Sequence, residues 1–254
     1  MSDTSDLAVR MKKYEQASKL FLTNRMPALI RLDGKAFHSF TKGMERPFDK
    51  ILIESMWEAA QYLCENIMGA KLAYVQSDEI TILLTDYDTL QTQPWFNKNV
   101  QKMVSVSASM ATMAFNLAFF ARAVLAGSLT HSDKALRAMF DSRVFTIPKE
   151  DVCNNFIWRQ QDATRNAIQM VGQANFSHNQ LMNKSCNDIQ EMLFQEKGVN
   201  FNDMPTHLKR GACIVKEVYE VDGVIRTRWV VDKNIPIFTQ RRDYVERLVY
   251  NEQA

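Results

Sequence analysis

The sequence is short of the residues that mark disulfide-rich, repetitive or loop-rich proteins. Its 254 residues include only 4 cysteines, 8 glycines and 6 prolines. The cysteines lie far apart and none forms a CxxC or CxxH pair, which argues against a disulfide framework and against a local zinc site. No internal repeat, low-complexity tract or Gly/Ser linker is present. These absences predict an ordinary globular protein with reduced, mostly buried thiols.

Signals for export and for several common nucleotide and metal sites are also missing. Residues 1–16 are polar and lack the apolar core of a signal peptide, so we expect a cytoplasmic protein. The chain contains no GxxxxGK[ST], GxGxxG or HExxH motif. This excludes P-loop, Rossmann and zincin functions as those motifs define them.

One uncharged stretch, residues 103–121, is long enough to cross a bilayer. Polar residues recur along it at helical spacing and form one stripe, which a lipid-facing helix has no reason to keep. We therefore predict no membrane span but a buried helix, from about Lys98 to Leu125, whose stripe faces a polar partner. The stripe consists of Lys98, Lys102, Ser105, Ser109, Thr112 and Asn116.

The net charge of +2 is uninformative, but the charges are unevenly distributed. Residues 10–50 carry ten Lys/Arg against four Asp/Glu, whereas residues 51–97 carry seven Asp/Glu against one Lys. A basic arm beside an acidic segment fits a polyanion held near a cation-binding centre. Solvated surface charge explains the same counts equally well.

The hydrophobic pattern predicts a β-α-β-β-α-β order in the first 150 residues. Asp33-Gly34 ends the first strand, Pro47 opens the first helix and Gly69 closes it. Such an order is the ferredoxin-like unit, in which right-handed crossovers place both helices on one face of an antiparallel sheet. The predicted strands are residues 28–32, 72–75, 80–84 and 143–147.

Residues 151–254 read as a C-terminal extension of helices and one β-hairpin. Residues 151–197 have helical apolar spacing, and Asp222-Gly223 separates two strand-like runs, 211–218 and 224–231. We therefore predict an α+β protein: a ferredoxin-like domain at residues 1–150 and a helical and hairpin region at 151–254 packed on it.

The strand order predicts where acidic residues meet. The first strand and the following hairpin are neighbours at the sheet centre, which brings Asp33 beside Asp78 and Glu79. Carboxylates at a strand end suit Mg²⁺, which shares its shell with water and substrate phosphates, and two such ions support phosphoryl transfer. Turn-forming acids are the alternative for each residue alone.

The segment that follows Asp33 is suited to phosphate. Successive backbone N–H groups of residues 34–38, Gly34-Lys35-Ala36-Phe37-His38, could cradle a triphosphate. Three cations, Lys35, Arg46 and Lys102, are expected within reach of it. His38 fits a phosphate contact or simple packing, and spacing does not decide between them.

A further polar set lies on the predicted helix after residue 151. Arg159, Asp162 and Asn166 share one face at helical spacing. An intrahelical ion pair with a polar cap and a site for a nucleotide or an RNA end are both open interpretations.

Four motifs together resemble the tRNA-His guanylyltransferase family and its bacterial and archaeal guanylyltransferase-like proteins. They are RLDGKAFHSF (31–40), AYVQSDE (73–79), FDSR (140–143) and WRQQDATRN (158–166). The resemblance runs from about residue 10 to about residue 215. It implies a palm that adds nucleotides in the 3′-to-5′ direction, opposite to ordinary polymerases, and a homotetramer.

The resemblance also implies roles for individual residues. Asp33, the Gly34 carbonyl and Asp78 would hold two Mg²⁺, with Glu79 assisting. Lys102 would be a cation for the activating nucleotide or the substrate phosphate, and Asn166 matches one asparagine of the family's HINN motif. The triphosphate would be held by Ser77 and the backbone of Gly34, Lys35, Ala36, Phe37 and His38, with Arg46 where the family usually has lysine.

At the HINN positions this chain reads Thr164-Arg165-Asn166-Ala167, without the histidine and one asparagine. The departure points to the guanylyltransferase-like branch, which repairs 5′-truncated tRNA by template-directed addition. Its implied reaction uses ATP to activate a 5′-monophosphate, after which the 3′-hydroxyl of GTP or another NTP attacks. Untemplated guanylate addition to tRNA-His, a palm-type nucleotide cyclase and a non-catalytic RNA-binding module are the alternatives.

Overall fold

The computed structural model describes residues 4–250 and is built on one six-stranded antiparallel sheet. The strand order across the sheet is β4-β1-β3-β2-β5-β6. Each neighbouring pair is antiparallel. The strands are β1 (Ala28–Gly34), β2 (Ala70–Gln76), β3 (Glu79–Leu84), β4 (Phe140–Thr146), β5 (Ala212–Val221) and β6 (Val224–Asp232).

The helices connect and cover this sheet. Two 3₁₀ turns, Trp95–Lys98 and Phe201–Asp203, accompany them. The described helices are α1 (Asp6–Ala17), α2 (Phe37–Phe40), α3 (Lys50–Asn66), α4 (Val100–Leu125), α5 (Leu129–Ser132), α6 (Lys149–Asn175), α7 (His178–Leu181), α8 (Cys186–Lys197), α9 (Thr206–Arg210) and α10 (Asp243–Tyr250).

The predicted β-α-β-β-α-β order is confirmed, and so is the α+β class. Strand β1 lies between β3 and β4, so the first strand and the β2–β3 hairpin are neighbours at the centre of the palm. The two crossover helices, α3 and α4, pack together over one face of the sheet. The predicted hairpin around Asp222-Gly223 is also present, as β5 and β6.

Alternation along β1 separates the two cores. Ile30 and Leu32 point to the α3/α4 face, where Phe115 and Phe119 are fully buried with them. Leu29 points to the opposite face, which α6 and α10 cover. Because side chains of a strand alternate between faces, Arg31 and Asp33 share the α6 face with Leu29.

The C-terminal region joins the palm through a short stretch of pairing. Three residues of β5 pair with β2, from Ala212 to Ile214, while β5 and β6 continue as a two-stranded hairpin beyond it. Gly211 precedes β5 with a positive φ, and a Cβ there would press on the backbone oxygen of Val75 and on the ring of Tyr74. The chain can therefore enter the sheet closely at this point only because residue 211 is glycine.

Two helix starts differ from the sequence prediction. Helix α3 begins at Lys50 rather than at Pro47, because Asp49 is its N-cap and accepts a hydrogen bond from the Leu52 N–H. Helix α4 begins at Val100 rather than at Lys98, since Lys98 belongs to a left-handed turn. The side chain of Lys98 is buried and its Nζ lies 3.0 Å from Asp86 Oδ2.

The polar stripe of α4 is only partly buried, which corrects the predicted buried helix. Ser105 and Ser109 are exposed and bond to carbonyl groups of their own helix. Thr112 and Asn116 face the sheet instead, where Asn116 bonds both the N–H and the carbonyl of Ala138. By length and composition α4 is one helix of the described chain that could cross a membrane. Of its most apolar 18-residue stretch, 44% is buried inside the protein.

Candidate active site

Two carboxylates converge at the end of β1. Asp33 pairs across the sheet with Glu79, the first residue of β3. Asp78 immediately precedes it in the β2–β3 turn, and its carbonyl accepts a hydrogen bond of 3.1 Å from the Gly34 N–H. The convergence predicted from strand order is therefore present, although the two residues are far apart in the sequence.

Burial and neighbouring charge oppose ionisation of Asp78. Its pKa is raised above the ordinary value of 3.8, chiefly by burial, and the charges of Asp33 and Glu79 add to the effect. A hydrogen bond of 3.0 Å from the Ser77 hydroxyl acts in the opposite direction. Acids crowded in this way gain from a divalent cation, because its charge offsets both desolvation and mutual repulsion.

The donor set fits Mg²⁺ that is completed by substrate. Within residues 4–250, no group of three or more His, Cys, Asp or Glu side chains is arranged to hold a metal by itself. Asp33, Asp78 and the Gly34 carbonyl supply oxygen atoms only, and Mg²⁺ is typically held by one or two carboxylates together with water and phosphate oxygens. The arrangement is therefore suited to a metal that arrives with a nucleotide.

The loop after Asp33 turns sharply over the sheet edge. Ala36 has left-handed backbone dihedrals (φ 55°, ψ 36°) and caps the short helix α2. A Cβ on Gly34 would overlap the ring of Phe37, which is buried against Phe115 and Phe140. The N–H of Lys35 is held by the Met139 carbonyl at 2.8 Å. Glycine at position 34 thus allows the loop to fold back. The amides of Gly34 and Lys35 are bonded to carbonyl groups, so the predicted phosphate cradle of residues 34–38 is reduced to residues 36–38, of which Phe37 and His38 line the adjoining cleft.

A cleft of about 290 Å³ opens beside this loop and the Asp78 turn. The predicted phosphate ligands His38 and Arg46 are exposed and line it. Its other walls come from the α2–α3 connection and from the second half of α6. The remaining lining residues include Thr41, Met44, Glu45, Ser77, Met170 and Gln173.

A second, more apolar pocket adjoins the cleft behind Ser77. Asn166 of α6 lines this pocket together with Trp57 and His207. Burial, and then the nearby charge of Lys233, lower the pKa of His207. Of the set Arg159, Asp162 and Asn166, it is Asn166 that lines this pocket.

Asp49 forms part of the wall shared by both pockets. Besides capping α3, its carboxylate accepts a hydrogen bond from the Glu45 N–H and bonds His131 Nε2 at 2.8 Å. The other ring nitrogen of His131 bonds the Ser128 hydroxyl at 2.6 Å. Sequence reasoning missed Asp49, and its position two residues after Pro47 was the only local signal of a cap.

Glu79 lies beside the converging acids, but its oxygen atoms are already engaged. Arg159 donates to both of them at 2.7 Å, and Arg31 donates to Oε2 at 2.7 Å. Arg159 also bonds Asp162 at 3.0 Å, which confirms the intrahelical ion pair. The sequence did not indicate this buried cluster, because its members are contributed by β1, β3 and α6.

A row of charges crosses the sheet next to Asp33. Asp141 of β4 pairs directly with Asp33, and Arg143 pairs with Arg31. Arg143 Nη2 lies 3.3 Å from Asp141 and 3.9 Å from Asp33. The FDSR motif therefore supplies both an acid and a cation to the edge of the site.

The structure does not bring Lys102 to this site. Lys102 lies in the first turn of α4, and its Nζ is 5.9 Å from the centre of the Phe96 ring. The preceding Lys98 bonds the carbonyl of Met26, just before β1 begins. Asp33 is at the other end of β1, about 17 Å away at the usual rise per strand residue.

The comparisons with known proteins agree with this geometry. The family model described as tRNAHis guanylyltransferase matches residues 8–148. The chain belongs to the tRNA-His guanylyltransferase family. Its members are nucleotidyltransferases that act in tRNA processing, so this chain is an enzyme of that class.

Individual members of the tRNA-His guanylyltransferase family are similar over nearly the whole chain. A bacterial tRNA(His) guanylyltransferase-like protein in complex with ATP is 50% identical, with a TM-score of 0.87, over 96% of this chain and 99% of that one. Another, in complex with GTP, is 47% identical with a TM-score of 0.82, over 97% and 100%. The tRNA(His) guanylyltransferase of Debaryomyces hansenii is 28% identical, over 82% of this chain and 79% of its own.

Proposed function

We propose that this protein adds nucleotides in the 3′-to-5′ direction to the 5′ end of truncated tRNA, directed by the opposite strand. The observation that carries the proposal is the convergence of Asp33 and Asp78 beside an open cleft. The ATP and GTP complexes of two similar bacterial proteins support nucleotide binding at such a palm. Mg²⁺ ions, two per site, would activate an attacking oxygen and offset charge on the phosphoryl groups.

The reaction has two steps. First, an oxygen of the RNA 5′-monophosphate attacks the α-phosphorus of ATP, forming an adenylylated end and releasing pyrophosphate. Next, the 3′-hydroxyl of an incoming NTP attacks the RNA 5′-phosphorus, forming a phosphodiester bond and releasing AMP while the hydroxyl proton is lost. An RNA that already carries a 5′-triphosphate releases pyrophosphate instead of AMP and needs no ATP.

The chain's own residues position these groups. Of the predicted cradle, the backbone amides of Ala36, Phe37 and His38 would hold the NTP triphosphate at the cleft, because the Gly34 and Lys35 amides already donate to the Asp78 and Met139 carbonyls. The Ser77 hydroxyl would exchange its bond to Asp78 for a phosphate oxygen. Lys35 and Arg46 would supply positive charge there, and His38 would contact a phosphate oxygen. Glu79 would act indirectly. It pairs with Asp33 across the sheet, and Arg31 and Arg159 hold its carboxylate in place. Asn166 would contact the nucleotide from α6.

Templated repair is favoured over obligate guanylate addition by the residues at the HINN positions. Thr164 and Arg165 replace the first two residues of that motif, and Arg165 is exposed and bonded to Asp162 rather than directed into the pocket beside Asn166. The two bacterial guanylyltransferase-like proteins, at 47% and 50% identity, share this branch by name.

The wider setting of the reaction is part of the same proposal. We place catalysis on the palm, residues 1–150, with residues 151–254 packed on it, in a soluble cytoplasmic homotetramer without a membrane partner. In that assembly Lys102 would serve the phosphates of a neighbouring copy, because in its own chain it lies at the far end of the sheet.

The test is end-sequencing of a 5′-truncated tRNA after incubation with ATP, Mg²⁺ and all four NTPs. We expect extension that follows the opposite strand, and its loss in Asp33→Asn and Asp78→Asn. Asp222→Asn, in the exposed β5–β6 turn, is the matched control and should leave extension intact. A single G added only to tRNA-His, or a cyclic nucleotide formed without RNA, would overturn the proposal.

A further inference from the structure

The first half of α6 presents a large aromatic side chain to solvent beside the catalytic carboxylates. Trp158 is 50% exposed, whereas its neighbours Phe156 and Arg159 are buried. The nucleotide cleft described above does not include it. Tryptophan is highly buried on average in folded proteins, so this exposure marks the ring as a candidate ligand surface.

The inner side of the indole is fixed by two guanidinium groups. Arg159 Cζ lies 4.6 Å and Arg31 Cζ 5.7 Å from the ring centroid. Both groups also donate to the same oxygen, Glu79 Oε2, so one carboxylate fixes both cations that contact the ring. Half of the Trp158 surface remains exposed, and the ring lies against a largely buried ion cluster.

The position of this ring relative to Asp33 gives it a role. Arg31 precedes Asp33 by two residues on the same face of β1, a separation of about 7 Å. Arg143 lies across from Arg31 on β4, also on this face, and reaches toward Asp33. An exposed aromatic ring and cations therefore border the carboxylates on the β1–β4 side.

The cleft for the incoming nucleotide borders the same carboxylates from a different side. It includes Met170, which is twelve residues after Trp158 on the same helix, or about 18 Å along the axis. Two ligand surfaces thus flank Asp33 and Asp78, and the one at Trp158 is free for the second substrate.

We propose that Trp158 is the stacking platform for the terminal base at the 5′ end of the RNA, an inference that rests on the proposed function. Bases of unpaired RNA ends stack on aromatic side chains, and nearby arginines attract the backbone phosphates. The Trp158 ring orients the end so that its 5′-phosphate meets the metal carboxylates, with Arg143 beside it. Trp158 is in this sense a binding residue for RNA and not for the incoming NTP.

The experiment measures binding of fluorescently labelled 5′-truncated tRNA by anisotropy, together with KM for RNA and for NTP. Trp158→Ala is expected to weaken RNA binding about tenfold, in line with the loss of one base–aromatic stack. Trp158→Phe should retain most of the affinity, and KM for NTP should not change in either variant. Phe194→Ala, which removes an aromatic ring of similar exposure on α8, is the matched control.

A second RNA isolates the stack. On a tRNA whose 5′-terminal nucleotide is abasic, Trp158→Ala should bind like the wild type, because the two changes remove the same contact. An equal penalty on intact and abasic RNA overturns the inference. So does a defect confined to ATP-dependent extension and absent with 5′-triphosphorylated RNA, since the ring would then hold the activating nucleotide.

The binding readout separates this inference from the proposed function. A wild type that binds truncated tRNA but extends no RNA contradicts the proposed function alone. If the wild type extends tRNA and Trp158→Ala binds RNA as tightly as the wild type does, the stacking platform alone is contradicted.

Discussion

Arg159 and Glu79, 80 positions apart in the sequence, form a buried two-point ion pair in which both hydrogen bonds measure 2.7 Å. The pair joins α6 to β3, the strand that follows the Asp78 turn. Arg31 donates to the same carboxylate, so Glu79 pairs with two cations, of which Arg159 is buried and the Arg31 side chain is 21% exposed. The stability of the active-site framework therefore depends on Glu79.

Glu79→Gln should lower the free energy of unfolding by about 3 kcal/mol, because the buried Arg159 guanidinium loses its two-point partner and keeps a single bond to Asp162. Urea denaturation measures the loss. Glu217→Gln removes the partner of Arg228 in an exposed pair and should cost less than about 1 kcal/mol. Losses of equal size in the two variants would show that burial does not set the strength of the Glu79 cluster.

Mg²⁺ should stabilise this protein through Asp78, and the effect should depend on pH. The pKa of Asp78 is raised mainly by burial, so without metal the folded state binds a proton more tightly than the unfolded state. Stability contributed by this group consequently falls as pH rises from 3.8 through the raised pKa. Mg²⁺ binds the ionised form, so its stabilising effect should grow over the same pH range.

Thermal melts with and without Mg²⁺ check this prediction. Mg²⁺ at 100 times its Kd should add about 2.7 kcal/mol to the free energy of unfolding. Each added kcal/mol raises Tm by roughly 2–4 °C in a chain of this size. Asp78→Asn should keep its metal-free Tm or gain slightly, because repulsion with Asp33 is removed, and should lose most of the Mg²⁺ response. An undiminished response in Asp78→Asn would place the metal elsewhere.

Gly34→Ala should destabilise the protein by about 1–3 kcal/mol, the usual cost of overpacking. The added Cβ overlaps the Phe37 ring and would displace a loop whose residues Phe37 and His38 line the cleft. We therefore also expect a higher KM for NTP. Phe37→Leu makes room for the methyl group, so the double variant should lose less stability than the sum of the two single changes. Strict additivity would contradict the clash.

Lys102→Ala and Asp33→Asn should each abolish efficient nucleotide addition and should complement each other. If Lys102 acts on a neighbouring copy, an assembly of both variants contains sites with an intact Asp33 that receive an intact Lys102. Mixing after dissociation and reassembly, followed by an extension assay, should restore part of the activity. Restoration would be absent if Lys102 acted within its own chain or had no part in the reaction.

Local signals in the sequence were sufficient for much of the fold. The strands of the palm, the hairpin at Asp222-Gly223 and the approach of Asp33 to Asp78 follow from apolar alternation, turn residues and element order, and the structure has all of them. Each of these features depends on contacts between elements that are neighbours in the sheet, and the local pattern of apolar and turn residues is enough to predict such contacts.

Long-range contacts explain what was not predicted. The left-handed turn at Phe96, Asn97 and Lys98 is held by carbonyl groups near β1, and it shifts the start of α4 by two residues. Sequence spacing could not place Lys102, because a helix's direction over the sheet depends on that packing. Sequence spacing could not predict the partners of Glu79 either, because Arg31 and Arg159 reach it from other elements.

Asp49 bears on how the cleft receives its ligand. One carboxylate starts α3, ties down the Glu45 amide and anchors His131 of α5, so three separate segments are held by a single side chain. This wall of the cleft is therefore preorganised before any nucleotide arrives, and little conformational entropy is lost there on association. Selectivity at this wall then comes from a rigid shape rather than from a loop that adapts to each base.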